Sequence, residues 1–206
     1  GECHHPRIKD ERHDHLVCHI AGQNGPSTQI IYNDPRRFGY IQYVQRREFD
    51  AHPSFARLGP EPLGNALSAE YLAQVFVGKK TPIKAALLDQ RNIAGLGNIY
   101  VCEALWRAGI SPKRMAGSLV TKAGNPSVAL ERLRVAIVDV IAEAIEAGGS
   151  TLRDHAQTDG TLGYFQHRFA AYDREGQPCR KDGCSGVIAR TVQSWRSTFY
   201  CPRHQR

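Results

Sequence analysis

Apolar positions change their period along the chain, and the change separates a β part from a helical part. Before residue 50, apolar residues form short runs or alternate with polar ones, which predicts strands at 15–20, 29–32 and 38–44. After about residue 65, apolar residues recur at spacings of three and four, which is the helical period. We therefore expect an α+β chain in which strands precede helices.

Capping residues mark the first two helix starts. Ser68 can cap a helix that continues to about Val77, with its inner face formed by Leu72, Val75 and Phe76. Thr81 is followed by a proline at the first helical position, so we expect a second, short helix to about residue 88.

The longest helix should follow Asn125 and Pro126, which repeat that start signature. Gly148 and Gly149 supply its end, because glycine readily adopts the left-handed conformation that closes helices. An apolar stripe along this helix predicts its buried face: Leu130, Leu133, Ile137, Ile141 and Ile145.

Turn-forming residues predict the domain organisation. Residues 51–64 contain three prolines and two glycines, and we interpret them as a linker between a β domain at 1–50 and a helical domain at 65–155. A polar, glycine-rich stretch at 148–166 has the length of functional loops. Residues 156–206 then hold the end of this loop and a C-terminal unit.

Two close pairs of metal-ligand residues define that C-terminal unit. Cys179 and Cys184 form one pair, Cys201 and His204 form the other, and sixteen residues separate the pairs. This spacing is typical of a structural zinc site, in which two tight turns each supply two ligands of a tetrahedron. The intervening residues are β-branched and aromatic, which predicts two short strands. The alternative is a disulfide, but a 22.9 kDa chain needs no such cross-link.

Charge favours an acidic partner. The chain carries a net +7, and its last 33 residues contain seven Lys/Arg against two acids, so +5 of that charge is C-terminal. Such a distribution indicates nucleic acid more than a protein partner. No apolar run has transmembrane length, and free cysteines beside a metal site suit a reducing cytoplasm. We expect no membrane partner.

Two stretches have the chemistry of DNA contacts. Arg36 and Phe38 follow a proline turn, and such residues can probe a base edge and wedge a base stack; an exposed arginine beside a core aromatic is the alternative. Gly95 and Gly97 precede Asn98 at a helix start, where free N–H groups favour a phosphate; a plain glycine-rich connection is the alternative. His13 and His15 alternate on a strand and cannot both face one metal ion, so we expect one of these histidines to be exposed and available for phosphate.

Five ordered motifs resemble those of the formamidopyrimidine-DNA glycosylases, and they cover essentially the whole chain. They are Asn-Asp-Pro-Arg-Arg-Phe-Gly at 33–39, Gly-Leu-Gly-Asn-Ile-Tyr at 95–100, Gly-Gly-Ser-Thr-Leu-Arg at 148–153, Gly-Tyr-Phe-Gln at 163–166 and Arg-Ser-Thr-Phe-Tyr-Cys-Pro at 196–202. The resemblance implies a partial N-terminal β-sandwich, a helix–two-turn–helix domain and a C-terminal zinc-finger β-hairpin, with DNA between the lobes.

The resemblance also implies the activity. It is a bifunctional DNA glycosylase/AP lyase that excises oxidised purines such as 8-oxoguanine and formamidopyrimidines, and nicks the strand by β,δ-elimination. Zinc is the only cofactor implied, held by Cys179, Cys184, Cys201 and His204. The implied partner is double-stranded DNA containing damaged purines, and we expect a monomer.

Residue roles follow the same resemblance. Arg196 would bind the phosphate flanking the lesion and assist δ-elimination, and residues 151–164 would close over the everted base. Arg36 would fill the vacated space while Phe38 wedges the stack. Backbone contacts would come from His13, Lys79 or its neighbour Lys80, Lys84 and Asn98.

Two features depart from the family pattern. His204 stands where the family has a cysteine. The chain begins Gly1-Glu2 instead of the nucleophilic proline and glutamate, so we expect these 206 residues to bind DNA weakly without cleaving it. The alternatives are a non-catalytic zinc-finger DNA-binding module and an endonuclease VIII-type pyrimidine glycosylase. The complete 150–166 loop favours the purine enzyme.

Overall fold

The fold combines helices with two small antiparallel sheets, as the α+β expectation required. A computed structural model describes residues 11–21, 28–34, 37–150 and 163–206. Within these ranges the strands and α-helices are β1 (Asp14–Ile20), β2 (Thr28–Asn33), α1 (Ala69–Phe76), α2 (Ile83–Leu88), α3 (Asn98–Ala108), α4 (Val128–Glu146), β3 (Ala189–Gln193) and β4 (Arg196–Tyr200). Short 3-10 helices lie at Glu11–His13, Arg46–Glu48, Ala116–Leu119 and Phe165–Arg168.

The N-terminal hairpin confirms the first two predicted strands. β1 and β2 pair antiparallel, with Val17 opposite Ile31. Leu16 and Val17 point to opposite faces of the hairpin, yet both are about two-fifths exposed, at 41% and 42%. Neither face of this hairpin is therefore fully covered by the described residues, and a two-stranded sheet in that condition is marginally stable.

The expectation of a third strand at 38–44 is wrong. These residues are irregular, and their large side chains are exposed, with Phe38 at 78% and Tyr43 at 87%. The alternating pattern was present, but a strand also needs a neighbour to accept and donate its ladder hydrogen bonds. Tyr40 instead bonds through its hydroxyl to Ser54 Oγ at 2.8 Å.

The helix starts follow the predicted positions closely, with two corrections. Ser68 caps α1 by accepting a hydrogen bond from the Tyr71 N–H, as expected. α4 is capped by the Ser127 hydroxyl, two residues after the predicted Asn125. At α2 the capping position is Pro82 itself, and no side chain caps the helix.

The apolar stripe of α4 rotates away from the core towards the C terminus. Leu130, Leu133 and Ile137 are fully buried, but Ile145 is 63% exposed. Each step of four residues overshoots a full helical turn by about 40°, so three such steps from Leu133 rotate the side chain by roughly 120°. Val140 and Ala144 take the buried positions instead.

The predicted linker is bound to the helical unit. The Gly59 N–H donates to Gln90 O at 2.9 Å, and Ala94 N–H donates to Pro60 O at 3.0 Å. A Cβ at Gly59 would lie 2.6 Å from the carbonyl carbon of Asn92, so only glycine allows this approach. The stretch therefore supports the segment before α3, while the exact domain boundaries stay predictions.

A buried carboxylate on α3 holds the start of the C-terminal unit. Glu103 is fully buried, and its two oxygens accept hydrogen bonds from three consecutive N–H groups, those of Ala170, Ala171 and Tyr172, at 2.7–2.9 Å. Three charge-assisted bonds satisfy an ion that would otherwise be costly to bury. Among the described helices, none is long and apolar enough to cross a membrane.

The ion pair between α3 and α4 should make stability depend on pH. Arg107 donates to both oxygens of Glu143, at 2.6 and 2.8 Å. The hydrogen bond from Arg107 holds the pKa of Glu143 below its ordinary value. The pair therefore stabilises the fold above about pH 4.3, the pKa of an unfolded glutamate, and this contribution is lost as pH falls through the lower folded pKa.

We predict that Glu143→Gln lowers the free energy of unfolding at pH 7 by about 1 kcal/mol, because the pair is partly exposed. Urea denaturation from pH 7 to pH 3 should show the difference from the wild type shrinking at the acidic end. Glu146→Gln is the control, since that carboxylate is 77% exposed and 3.9 Å from Arg168. A constant difference at all pH values would contradict the assignment.

Candidate nucleic-acid interface

The C-terminal hairpin forms as predicted. β3 and β4 pair in register from Ala189 opposite Tyr200 to Gln193 opposite Arg196. This leaves Ser194 and Trp195 as a two-residue turn, with φ angles of 49° and 60°. Positive φ at both central positions is the geometry that matches the twist of a tight hairpin.

Three cysteines meet at the base of this hairpin. The Sγ atoms of Cys179, Cys184 and Cys201 lie within 4.8 Å of one another, and all three thiols are free. The Cys184 and Cys201 sulfurs are 3.8 Å apart, too far for a disulfide and close to the separation of two ligands in a tetrahedral Zn–S site. The disulfide alternative is therefore wrong for these residues, and the cluster can hold a metal ion.

The surroundings of the cluster suit thiolate ligands. The Gly186 N–H approaches Cys184 Sγ at 3.4 Å, and the Trp106 indole N–H approaches Cys179 Sγ at the same distance. A Cβ at Gly186 would lie 2.5 Å from Cys201 Sγ, so a larger residue would intrude on the sulfurs. Hydrogen-bond donors aimed at ligand sulfurs are the outer support that metal sites require.

His204 lies outside the group of mutually close ligand atoms. Its Nε2 is 2.8 Å from the carbonyl oxygen of Trp106, and its ring meets the indole edge-on at 5.5 Å. Because a carbonyl only accepts, Nε2 carries the proton in this contact. The sequence pattern gave no indication of this bond to the end of α3.

Two helices hold the hairpin through the backbone carbonyl of Ser197. Ser197 O accepts from Lys84 Nζ at 3.3 Å and from Asn98 Nδ2 at 3.0 Å, while Lys84 also donates to Thr198 Oγ1 at 2.7 Å. Lys84 is fully buried, and burial lowers the pKa of its ammonium group. The described structure uses this ammonium group to hold β4, and a direct phosphate contact by Lys84 stays a prediction.

Asn98 is the first residue of α3, where the first backbone N–H groups have no acceptor within the helix. The preceding Gly97 has no side chain to cap the helix, and Gly95 adopts a φ of 75° that favours glycine. Asn98 Oδ1 is buried without a hydrogen-bond partner. Its amide retains a second N–H beside the one given to Ser197, so this helix start can still donate to an anion.

The remaining predicted contacts are spread over the molecule. Lys79 Nζ donates to Asn92 Oδ1 at 3.3 Å, beside the segment that precedes α3, and Lys80 is exposed. Arg196 is exposed next to Ser197. His13 ends the first 3-10 helix with Nδ1 buried and unpartnered, and the exposed Phe38 lies in the irregular stretch. Arg36 and residues 151–162 lie outside the described residues.

Sequence reasoning missed two supports of this site. Ser197 acts through its backbone carbonyl. Because every residue type has this group, the sequence cannot indicate which carbonyl will be used. Glu103 did leave a signal, because it is the one acidic residue of α3 and has apolar neighbours in the sequence, and such a charge is buried only when it is paired.

Comparison with known proteins identifies the fold of the helical unit. The family profile described as "Formamidopyrimidine-DNA glycosylase H2TH domain" matches residues 58–156. The formamidopyrimidine-DNA glycosylase of Rhizobium etli (strain CIAT 652) is 62% identical over all 206 residues, which span 69% of that relative. The enzyme of Rhizobium meliloti (strain 1021) is 61% identical over the same residues, which span 68% of its length.

Solved structures agree. The MutM (Fpg) protein of Thermus thermophilus is similar with a TM-score of 0.75 and 39% identity, over 92% of this chain and 72% of that one. A mutant Lactococcus lactis enzyme in complex with Fapy-dG containing DNA has a TM-score of 0.81 and 29% identity, over 100% of this chain and 69% of that one.

The identity to glycosylases over all 206 residues supports neither of the two alternatives, the non-catalytic binding module and the endonuclease VIII type. The chain belongs to the formamidopyrimidine-DNA glycosylase family, whose members act in base-excision DNA repair.

Proposed function

We propose that this chain belongs to a DNA glycosylase/AP lyase that excises oxidised purines from duplex DNA and nicks the strand by β,δ-elimination. The observation that carries the proposal is the bond from Asn98 Nδ2 to Ser197 O at 3.0 Å. It fixes the start of α3 beside Arg196, so that a helix terminus and an exposed guanidinium can bind neighbouring phosphates of one strand.

Electrostatics supports the same role for this surface. The free N–H groups at the start of α3 carry the positive end of the helix dipole. Arg196 adds a full positive charge, and its planar guanidinium group is suited to bidentate phosphate binding. Lys79 lies on the neighbouring segment, held by Asn92 with two ammonium hydrogens left to donate. Phosphate contacts of this kind position the DNA, while the lesion is selected elsewhere.

The lesion class rests on the relatives. The Lactococcus lactis complex contains Fapy-dG, and a MutM complex with a TM-score of 0.78 and 29% identity contains carbocyclic 8-oxo-G. Turning a base out of the stack costs a few kcal/mol. We assign Arg36 and Phe38 to filling and wedging the vacated space, His13 to the backbone beside the lesion, and residues 151–164 to the everted base.

Zinc fits the cluster of three cysteines, and we assign His204 as its fourth ligand, although neither of its ring nitrogens lies within 4.8 Å of all three sulfurs. The Nε2–H of His204 is given to Trp106 O at 2.8 Å, which leaves Nδ1 unprotonated in the neutral ring. A ligating histidine commonly donates its other N–H to a backbone carbonyl in this way. Zinc held by Cys179, Cys184, Cys201 and His204 would act structurally, keeping β4 and Arg196 in place.

Lesion preference tests the proposed function. We predict that the protein binds a duplex containing 8-oxoguanine or an abasic-site analogue about tenfold more tightly than undamaged DNA, because damaged sites are easier to distort. Fluorescence anisotropy with labelled duplexes measures the ratio. Equal affinity for all duplexes would favour the non-catalytic module, and preference for an oxidised pyrimidine would favour the endonuclease VIII type.

Arg196 should account for one phosphate contact. We predict that Arg196→Ala weakens duplex binding and reduces the slope of log K against log salt by about 0.9. Arg132→Ala is the matched control, since it removes the same charge from an exposed position on α4. An identical slope in wild type and Arg196→Ala would remove this residue from the interface.

The zinc site makes a separate prediction. Cys179→Ser and His204→Ala should each lower the zinc content and the melting temperature, because metal binding contributes folding free energy to small sites. His204→Cys should retain zinc, since thiolate is an equally good ligand. Elemental analysis after gel filtration measures the content, and full zinc retention in His204→Ala would exclude the histidine as a ligand.

A further inference from the structure

Trp195 is the most exposed of the large apolar side chains in the described part of the chain. Its side chain is 100% exposed at the tip of the β3–β4 turn, immediately before Arg196. The other tryptophan, Trp106, is packed against the small core around the cysteines. Indole is the largest side chain and gains much from burial, so complete exposure at a protruding tip is typical of a binding site.

The backbone at this tip is unfavourable for tryptophan. Ser194 and Trp195 have φ angles of 49° and 60°, in the left-handed region that glycine and asparagine adopt most readily. A bulky side chain in this conformation is uncommon, and retained strain is concentrated at functional sites. The turn would form more easily with a small residue, so its geometry does not explain the indole.

The tip is held rigidly. Ser197, two residues further on, is bound through its carbonyl by Lys84 and Asn98. On the opposite strand, Gln193 Nε2 donates to Pro112 O at 3.3 Å. The indole is therefore presented in a fixed place, and little ordering of the hairpin is needed when a partner binds.

The net charge of the hairpin and its flanking residues favours an anionic partner, and Arg196 brings this charge to the tip. Residues 185–206 contain four arginines and no acidic residue. A polyanion complements this surface, and the flat indole beside Arg196 suits a ligand that has both phosphates and aromatic faces. Nucleic acid is the ligand with both properties, because bases and sugars pack on aromatic side chains while phosphates bind arginine.

We infer that Trp195 is a DNA-contacting residue, whose indole packs against the sugar or an unstacked base next to the phosphate that Arg196 binds. This inference rests on the proposed function and adds an apolar contact to the phosphate clamp. It requires that part of the binding free energy come from the uncharged indole of Trp195.

Affinity measurements on hairpin variants test the inference. Trp195→Asn removes the indole and suits the left-handed turn, so it should fold normally while weakening binding to an abasic-site duplex about tenfold. Trp195→Phe keeps an aromatic face and should bind within about threefold of wild type. Val192→Thr is the matched control, since Val192 is 66% exposed on the same hairpin and should leave affinity unchanged. Because tryptophan is uncharged, Trp195→Asn should keep the wild-type salt slope, unlike Arg196→Ala.

Fluorescence supplies a second readout that does not depend on a loss of affinity. The difference between wild-type and Trp195→Phe emission isolates Trp195, and duplex DNA should protect this signal from acrylamide. Wild-type affinity in Trp195→Asn, or an unprotected indole in the complex, would overturn the inference while leaving the proposed function intact. Absence of duplex binding by the wild type would overturn both.

Discussion

The backbone carbonyl of Ser197 is the point on which the interface depends. It accepts one hydrogen bond from the buried ammonium of Lys84 and one from the amide of Asn98, so two helices hold one position of β4. A buried ammonium is tolerated only when its donors are used, and here the Thr198 hydroxyl accepts another. Any shift of the hairpin would leave that charge without partners, and this penalty fixes where Arg196 stands.

Helix α3 connects the parts of the molecule along its whole length. Its first residue binds the hairpin, its middle carries the Glu103 carboxylate that holds 170–172, and its last turn contacts both α4 and His204. The proposed phosphate contacts therefore stand on a rigid helix and a pinned strand. Sites supported in this way keep their geometry better than sites built on free loops.

The C-terminal unit separates two tasks that its sequence places close together. The cysteines form a compact base, supported by N–H donors and by a glycine that leaves room for the sulfurs. The charged and aromatic tip lies at the other end of the hairpin, where Trp195 and Arg196 face solvent. In the proposed function, metal binding acts on DNA recognition only through the position of that tip.

The sequence alone determined the elements whose signals are local. The Ser68 cap, the helical periods and the β3–β4 strands depend on residues near each other in the chain, and the structure confirms them. Of the two predicted ligand pairs, the structure brings together the three cysteines. It did not determine features that depend on distant partners. Residues 38–44 alternate like a strand but find no neighbour to pair with among the described residues. Lys84 looks like a surface cation until tertiary packing buries it against β4, because burial and hydrogen-bond partners are properties of the assembled fold.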